Sequence, residues 1–156
     1  MPDNDVILIV EDREEDILLM QSAFEKADLK NPVQFVRTGE DAIAYLSGEG
    51  QFSNRSQYPI PVLVLLDLKL RGIDGFEVLS WIRQQHRFRT LPVVVLTASR
   101  HMDDVNRAYR LGANSFFVKD LGFQQTVVLS RLMLEHWLQK APRPDTSRRP
   151  PKPPEG

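Results

Sequence analysis

The chain predicts a doubly wound α/β fold, and three observations carry that expectation. Short apolar runs rich in branched residues, Val6-Ile7-Leu8-Ile9-Val10 and Val62-Leu63-Val64-Leu65-Leu66 foremost, have the look of parallel strands covered on both faces. Segments of helical period separate the runs, giving five strand-helix repeats. Acidic residues close two of the runs, Glu11-Asp12 after the first and Asp67 after the third. Open parallel sheets gather their chemistry at those C-terminal strand ends.

Taken in order, the pattern predicts strand 6–10 and helix 14–28, the helix stopped by Asn31-Pro32. Strand 33–37 follows, and Thr38-Gly39 opens helix 39–47. Strand 62–66 comes next, then helix 75–86, which Asp74-Gly75 opens with Glu77 at capping-box spacing. Strand 92–97, helix 102–111 closed by Leu111-Gly112, strand 115–118 and helix 122–139 complete the series. Residues 48–61 form the one long connection, polar and marked by Gly48, Gly50, Pro59 and Pro61. A loop of that length is expected to be a binding surface or a mobile link.

The last helix carries more apolar residues than one buried face needs. On a helical projection Phe123, Val127, Leu134, Trp137 and Leu138 share one side. Val128, Leu129, Leu132 and Met133 spread over another, and Gln124, Arg131 and Glu135 form the polar stripe between them. A second apolar face on a terminal helix predicts a partner, most simply a second copy of the chain. Residues 1–140 are therefore expected to form one domain. Residues 141–156, with six prolines and four Arg or Lys, are expected to form a disordered tail, to which no role is assigned.

Composition narrows the function classes. The formal net charge of -1 supplies no basic field for nucleic acid. The absence of cysteine excludes disulfides, thiolate metal sites and a cysteine nucleophile. The first apolar run is too short for a signal-peptide core or a membrane span, so a soluble, unexported, cytoplasmic protein is expected. His86, His101 and His136 show no metal-ligand spacing and are expected on the surface.

Five residues should meet at the C-terminal edge of the sheet: Glu11, Asp12, Asp67, Thr97 and Lys119. Clustered carboxylates repel, so the group predicts a bound cation or a proton on one acid. Magnesium suits it, since that ion takes few carboxylates and keeps waters for an incoming phosphate. An aspartate can also attack phosphorus, with Lys119 and the Thr97 hydroxyl absorbing charge on the oxygens. Singly, each residue also has a bland account: Asp12 with Glu15 fits a capping box, Asp67 a turn, Thr97 a strand position and Lys119 a solvated loop.

The conjunction resembles the receiver domain of two-component response regulators over about residues 5–139. The motifs that carry the likeness are Val10-Glu11-Asp12, Leu66-Asp67-Leu68-Lys69-Leu70 with Gly72-Ile73-Asp74-Gly75, Val95-Leu96-Thr97-Ala98-Ser99, and Phe116-Phe117-Val118-Lys119. The resemblance implies a flavodoxin-like five-stranded sheet of order 2-1-3-4-5. It also implies Asp67 as phosphoacceptor and Mg2+ held by Glu11, Asp12, Asp67 and the Lys69 backbone carbonyl. Thr97 and Lys119 would be phosphate contacts, with Thr97 and Phe116 as the switch pair. Ser99 and Lys69 would face the water that hydrolyses the acyl phosphate. The output face would be the fourth helix, fifth strand and fifth helix. Partners would be a histidine kinase and, through the fifth helix, a second copy, with no direct contact to nucleic acid or membrane.

Two departures from the family pattern stand out: Asp120 follows Lys119 where relatives carry a cis-proline, so a trans bond is expected, and Arg71 replaces another proline. With the long loop and the Leu134-Glu135-His136-Trp137-Leu138 ending, they make the chain similar to the stand-alone regulators that partner phytochrome-type kinases. An Asp-nucleophile phosphohydrolase is the enzyme alternative, but it needs an acid two residues after the nucleophile, where Lys69 stands. A receiver-like scaffold without phosphate chemistry is the third reading. The expectation is a phosphoacceptor rather than an enzyme with turnover.

Overall fold

The computed structural model describes residues 5–119 and 122–138. Its elements run β1 (Ile7–Val10), α1 (Glu14–Lys26), β2 (Val33–Val36), α2 (Gly39–Ser47), β3 (Leu63–Leu66), α3 (Gly75–Gln84), β4 (Val93–Thr97), α4 (Met102–Arg110), β5 (Ser115–Val118) and α5 (Phe123–Met133), which passes into a π-helical turn over Leu134–Leu138. All five strands are parallel, in the order 2-1-3-4-5. The domain boundary at 140, the tail 141–156 and the Lys119-Asp120 bond lie outside the described residues.

Period-two alternation divides the strands between two cores. Leu8, Val10, Val64, Leu66, Val93 and Val95 face the cluster built with α2, α3 and α4. Ile7, Ile9, Leu63, Leu65, Val94 and Leu96 face the cluster built with Met20 and Phe24 of α1 and Leu129 and Met133 of α5. Both sheet faces are thus covered, which is why the strands read as unbroken apolar runs.

Helix starts follow the expected chemistry. Thr38 caps α2, its hydroxyl accepting from the Asp41 N–H at 3.0 Å, and Asp74 caps α3, accepting from the Glu77 N–H at 2.9 Å. One stop differs: α1 ends at Lys26 rather than running to 28. Asp28 adopts φ 61°, and the Leu29 N–H closes back on the Phe24 carbonyl at 3.0 Å. An Asp in the left-handed region ends the helix before Asn31-Pro32 can act.

The 48–61 connection is folded onto the end of α2 rather than left open. Phe52 is buried against Tyr45, and the Tyr58 ring meets both edge-on, at 5.1 Å from Phe52 and 5.9 Å from Tyr45. Arg55 supplies what the helix end lacks: its guanidinium donates to the carbonyls of Tyr45 (2.7 Å), Leu46 (2.7 Å) and Tyr58 (3.1 Å). Arg55→Ala should therefore destabilise the protein by about 1–3 kcal/mol, because all three carbonyls lose a charged donor, Tyr45 O keeping the Gly48 N–H and Leu46 O the Arg87 guanidinium. Urea unfolding reads the loss, and amide exchange should quicken first between residues 48 and 61.

Helix α5 corrects the expected division into two faces. Leu129 and Met133 are buried in the sheet core and Val127 against Ala23 and Ala27 of the α1 end, while Val128, Leu132 and Phe123 are exposed. Gln124, Arg131 and Glu135 are all exposed, as the polar stripe requires. Among the described residues of α5 the exposed apolar side chains are thus Phe123, Val128 and Leu132, the last two one helical turn apart, and not the wider face expected from the sequence. The side chain of Leu134 lies outside what is described. Trp137 and Leu138 pack onto the α1–α5 core.

Candidate functional site

Strand register builds the site. Val10 pairs with Val36 and with Leu66, so Glu11 and Asp67, each the next residue, emerge side by side. Backbone bonds extend the ladder there: Glu11 N–H donates to Val36 O at 3.0 Å and Asp67 N–H to Val10 O at 3.1 Å. On β4 and β5 the register pairs Thr97 with Val118, and Lys119 N–H donates to Thr97 O at 2.7 Å.

Ligand oxygens of Glu11, Asp12 and Asp67 lie within 4.8 Å of one another. Glu11 is 1% exposed and Asp67 5% exposed, so their mutual repulsion is poorly screened. Asp12 does not act as a helix cap: α1 starts at Glu14 with Arg13 in the cap position and no side-chain cap bond, and the Asp12 carboxylate faces Arg71 at 3.6 Å instead. Three hard oxygen donors with open geometry fit a divalent cation of the magnesium or manganese kind.

Lys119 supplies a resident cation. Its ammonium donates to Glu11 Oε2 at 2.5 Å, Asp16 Oδ2 at 2.9 Å and Asp67 Oδ2 at 3.0 Å, which uses all three of its N–H bonds. Burial alone would lower the ammonium's pKa, but the Asp67 charge and the bonds to Glu11 and Asp16 outweigh it and raise the value above the ordinary one. Glu11 moves up as well, to about 8: burial is the main cause, the Lys119 hydrogen bond pulls it down and the Asp67 charge pushes it further up. With more carboxylates than cations crowded together, Glu11 is driven toward its protonated form.

That assignment fixes a pH dependence for the metal-free protein. Glu11 rises from 4.5 to about 8 on folding, so its stabilising contribution is complete below 4.5 and is lost as pH rises through about 8. Lys119 is charged in both states across that interval and adds no slope there. Thermal unfolding in a chelator should show the midpoint falling over this range, and a rising midpoint would contradict the assignment.

The other sequence candidates fall into two groups. Thr97 ends β4 fully buried, its hydroxyl accepting a long contact from the Ser99 N–H at 3.5 Å. Phe116 is half-buried against the α2–α4 core beside Val95. The Lys69 side chain is exposed while its N–H donates to Asp67 Oδ1 at 3.3 Å. Ser99, in contrast, does not face solvent: it is 3% exposed and its hydroxyl donates to Asp104 Oδ2 at 2.5 Å, fastening the start of α4. The three histidines are exposed, as expected.

Sequence reasoning missed Asp16 and the Arg71–Asp12 contact. Asp16 stands four residues after Asp12, in the first turn of α1, and that spacing is the signal that was available.

The chain matches the family model "Response regulator receiver domain" over residues 7–130. It is 40% identical over 134 residues to the "Probable methanogenesis regulatory protein FilR2" of Methanothrix harundinacea, covering 85% of this chain and 83% of that protein. It is 34% identical over 139 residues to the response regulator Rcp1 of Synechocystis sp., covering 89% and 92%. The crystal structure of the phosphorylated cyanobacterial phytochrome response regulator RcpA superposes with a TM-score of 0.82 at 36% identity, covering 91% of this chain and 99% of that one. The Mn(2+)-bound form of Rcp1 superposes with a TM-score of 0.79 at 34% identity, covering 90% and 99%. Among the described residues no helix is long and apolar enough to cross a membrane.

Proposed function

Because the chain belongs to the receiver domain family of response regulators, we propose that Asp67 accepts a phosphoryl group from a histidine kinase and that the protein signals through its own surface. The observation that carries this reading is the buried Asp67 carboxylate, held against the Lys119 ammonium inside the Glu11–Asp12–Asp67 cluster. An Asp67 oxygen forms a bond to phosphorus while the phosphorus–nitrogen bond of the phosphohistidine donor breaks. Lys119 and the Thr97 hydroxyl take up charge on the transferred oxygens. Glu11, Asp12, Asp67 and the Lys69 carbonyl would hold Mg2+, which when bound neutralises the phosphoryl oxygens. Lys69, two residues after Asp67, offers no acid for a leaving group, which favours a phosphoacceptor over a phosphohydrolase.

Incubation with acetyl phosphate and Mg2+, read by intact mass, tests the assignment. One added phosphoryl group on the wild type and none on Asp67→Asn is expected, and equal gain in both would overturn it.

The names of RcpA and of the bacteriophytochrome response regulator AtBRR, 41% identical over 81% of this chain, support a phytochrome-type kinase as the donor. Phosphoryl binding would draw Thr97 and Phe116 and so bias the packing of α4, β5 and α5. Met102 and Tyr109 on α4, with Phe123, Val128 and Leu132 on α5, leave large apolar side chains exposed on or beside that face.

A second copy of the chain is the partner proposed for this surface, with Leu132 beside Ser115 and Phe117 of the half-buried β5 edge and Val128 one turn away on α5. Sedimentation should show a dimer that Val128→Glu with Leu132→Lys abolishes. A wild-type monomer at tens of micromolar, phosphorylated or not, would remove it.

A further inference from the structure

We infer that Asp16 is a positioning residue for the phosphoryl transfer, an anchor that keeps the Lys119 ammonium in the site when the other carboxylates are taken. The inference rests on the reading of Asp67 as phosphoacceptor. Lys119 reaches the cluster on a flexible four-carbon stem, so its head is placed only by what accepts its hydrogen bonds. Three acceptors do so, Glu11, Asp16 and Asp67, and two of them belong to the trio that suits a divalent cation. Glu11 and Asp67 would turn their oxygens to a divalent cation when one is held there, and esterification would leave the Asp67 carboxylate an uncharged acyl group. Asp16 alone among the three stands outside the trio, so neither the cation nor the ester would occupy its oxygens.

Its placement fits that task. Asp16 lies in the first turn of α1, between the exposed Glu15 and the buried Ile17, and its backbone is fixed by the helix. Leu19, Met20, Leu96, Thr126 and Leu129 line a narrow cleft together with Asp16 and Lys119, so one flank of the ion pair is largely apolar. The Lys119 side chain is 10% exposed and Asp16 21%. Arg13 touches the same Asp16 oxygen only at 3.8 Å from a side chain 59% exposed, too weak a contact to withdraw it from Lys119. With Asp16 in place, the ammonium can exchange Asp67 for a phosphoryl oxygen without leaving the site.

Asp16→Ala and Asp16→Asn in the full chain test this, the second keeping an acceptor oxygen. The Lys119 ammonium resonance, assigned by its loss in Lys119→Met, reads the anchor directly with and without Mg2+ and needs no phosphorylation. In the wild type it should persist when Mg2+ is added. In Asp16→Ala it should broaden away in Mg2+, and the saturating rate of phosphorylation by acetyl phosphate should fall about tenfold with the half-saturating concentration little changed. Asp16→Asn should recover most of that rate, which a purely structural residue would not predict. A resonance that survives Mg2+ in Asp16→Ala, or in Asp16→Leu should the alanine variant not fold, overturns the inference, as does an undiminished rate. If the wild type gains no phosphoryl group, the function reading fails while the resonance comparison still decides the role of Asp16.

Discussion

Gly75→Ala should lower the unfolding free energy by about 3 kcal/mol, near the upper end for overpacking a single site. A Cβ on Gly75 would stand 2.2 Å from the Asp67 carbonyl oxygen, 2.5 Å from Leu68 Cα and 2.9 Å from the Asp67 carbonyl carbon. All three are backbone atoms, so no rotamer change relieves the contact, and either α3 or the end of β3 has to move. The Gly75 N–H also donates to the Leu68 carbonyl at 2.9 Å, which ties the helix start to the segment that carries Asp67. The strain therefore falls on the proposed phosphoacceptor, and weaker divalent-cation binding should accompany the lost stability. Urea unfolding and a Mg2+ titration of the same variant check both halves. A loss under about 1 kcal/mol would show that the helix start yields easily and that the close approach matters little.

How much of this was legible before the coordinates depends on whether a feature is local or tertiary. The strands were legible because coverage on both faces leaves a continuous branched apolar run, and in-register parallel pairing then fixes which residues share an edge. Once Val10 pairs with Leu66, the neighbours Glu11 and Asp67 must meet. Caps at Thr38 and Asp74 were legible for the same reason, since a cap is decided within four residues. Gly75 was read only as a helix opener, because no sequence pattern states how near α3 comes to Asp67. Arg55 looked like one charge in a polar loop, yet it completes the end of α2 ten residues earlier in the chain. On α5, apolar content told of surplus but not of direction: Leu129 and Met133 turn to the core while Val128 and Leu132 do not, a choice made by how α5 lies on α1. Asp16 was hidden for a related reason, since its partner Lys119 is supplied by the other end of the chain.

Lys119→Met should cost the metal-free protein about 3–5 kcal/mol, the range seen when one member of a buried ion pair is removed. Methionine matches the stem in length and apolar character, so the loss reports the ammonium and not the packing. Without it, Glu11 and Asp67, 1% and 5% exposed, face each other with no cation between them. Glu11 has one escape, to take up a proton. Its value already stands at about 8, and losing the hydrogen bond that pulls it down moves it higher. The destabilisation should consequently be smallest at acidic pH and grow as pH rises through the range where Glu11 must ionise. A divalent cation offers the second escape, and because the variant has lost the competing ammonium, Mg2+ should bind it more tightly than it binds the wild type. At a hundredfold excess over its dissociation constant the ion contributes about 2.7 kcal/mol, enough to recover much of the loss. Phosphorylation should stay impaired even when Mg2+ has restored the fold, since the ion replaces the charge of Lys119 but not its contact to a phosphoryl oxygen. Chelator and Mg2+ unfolding curves for both proteins, measured at acidic and alkaline pH, separate these effects. Equal stability in chelator at alkaline pH would mean that Lys119 is not what holds the carboxylate cluster together.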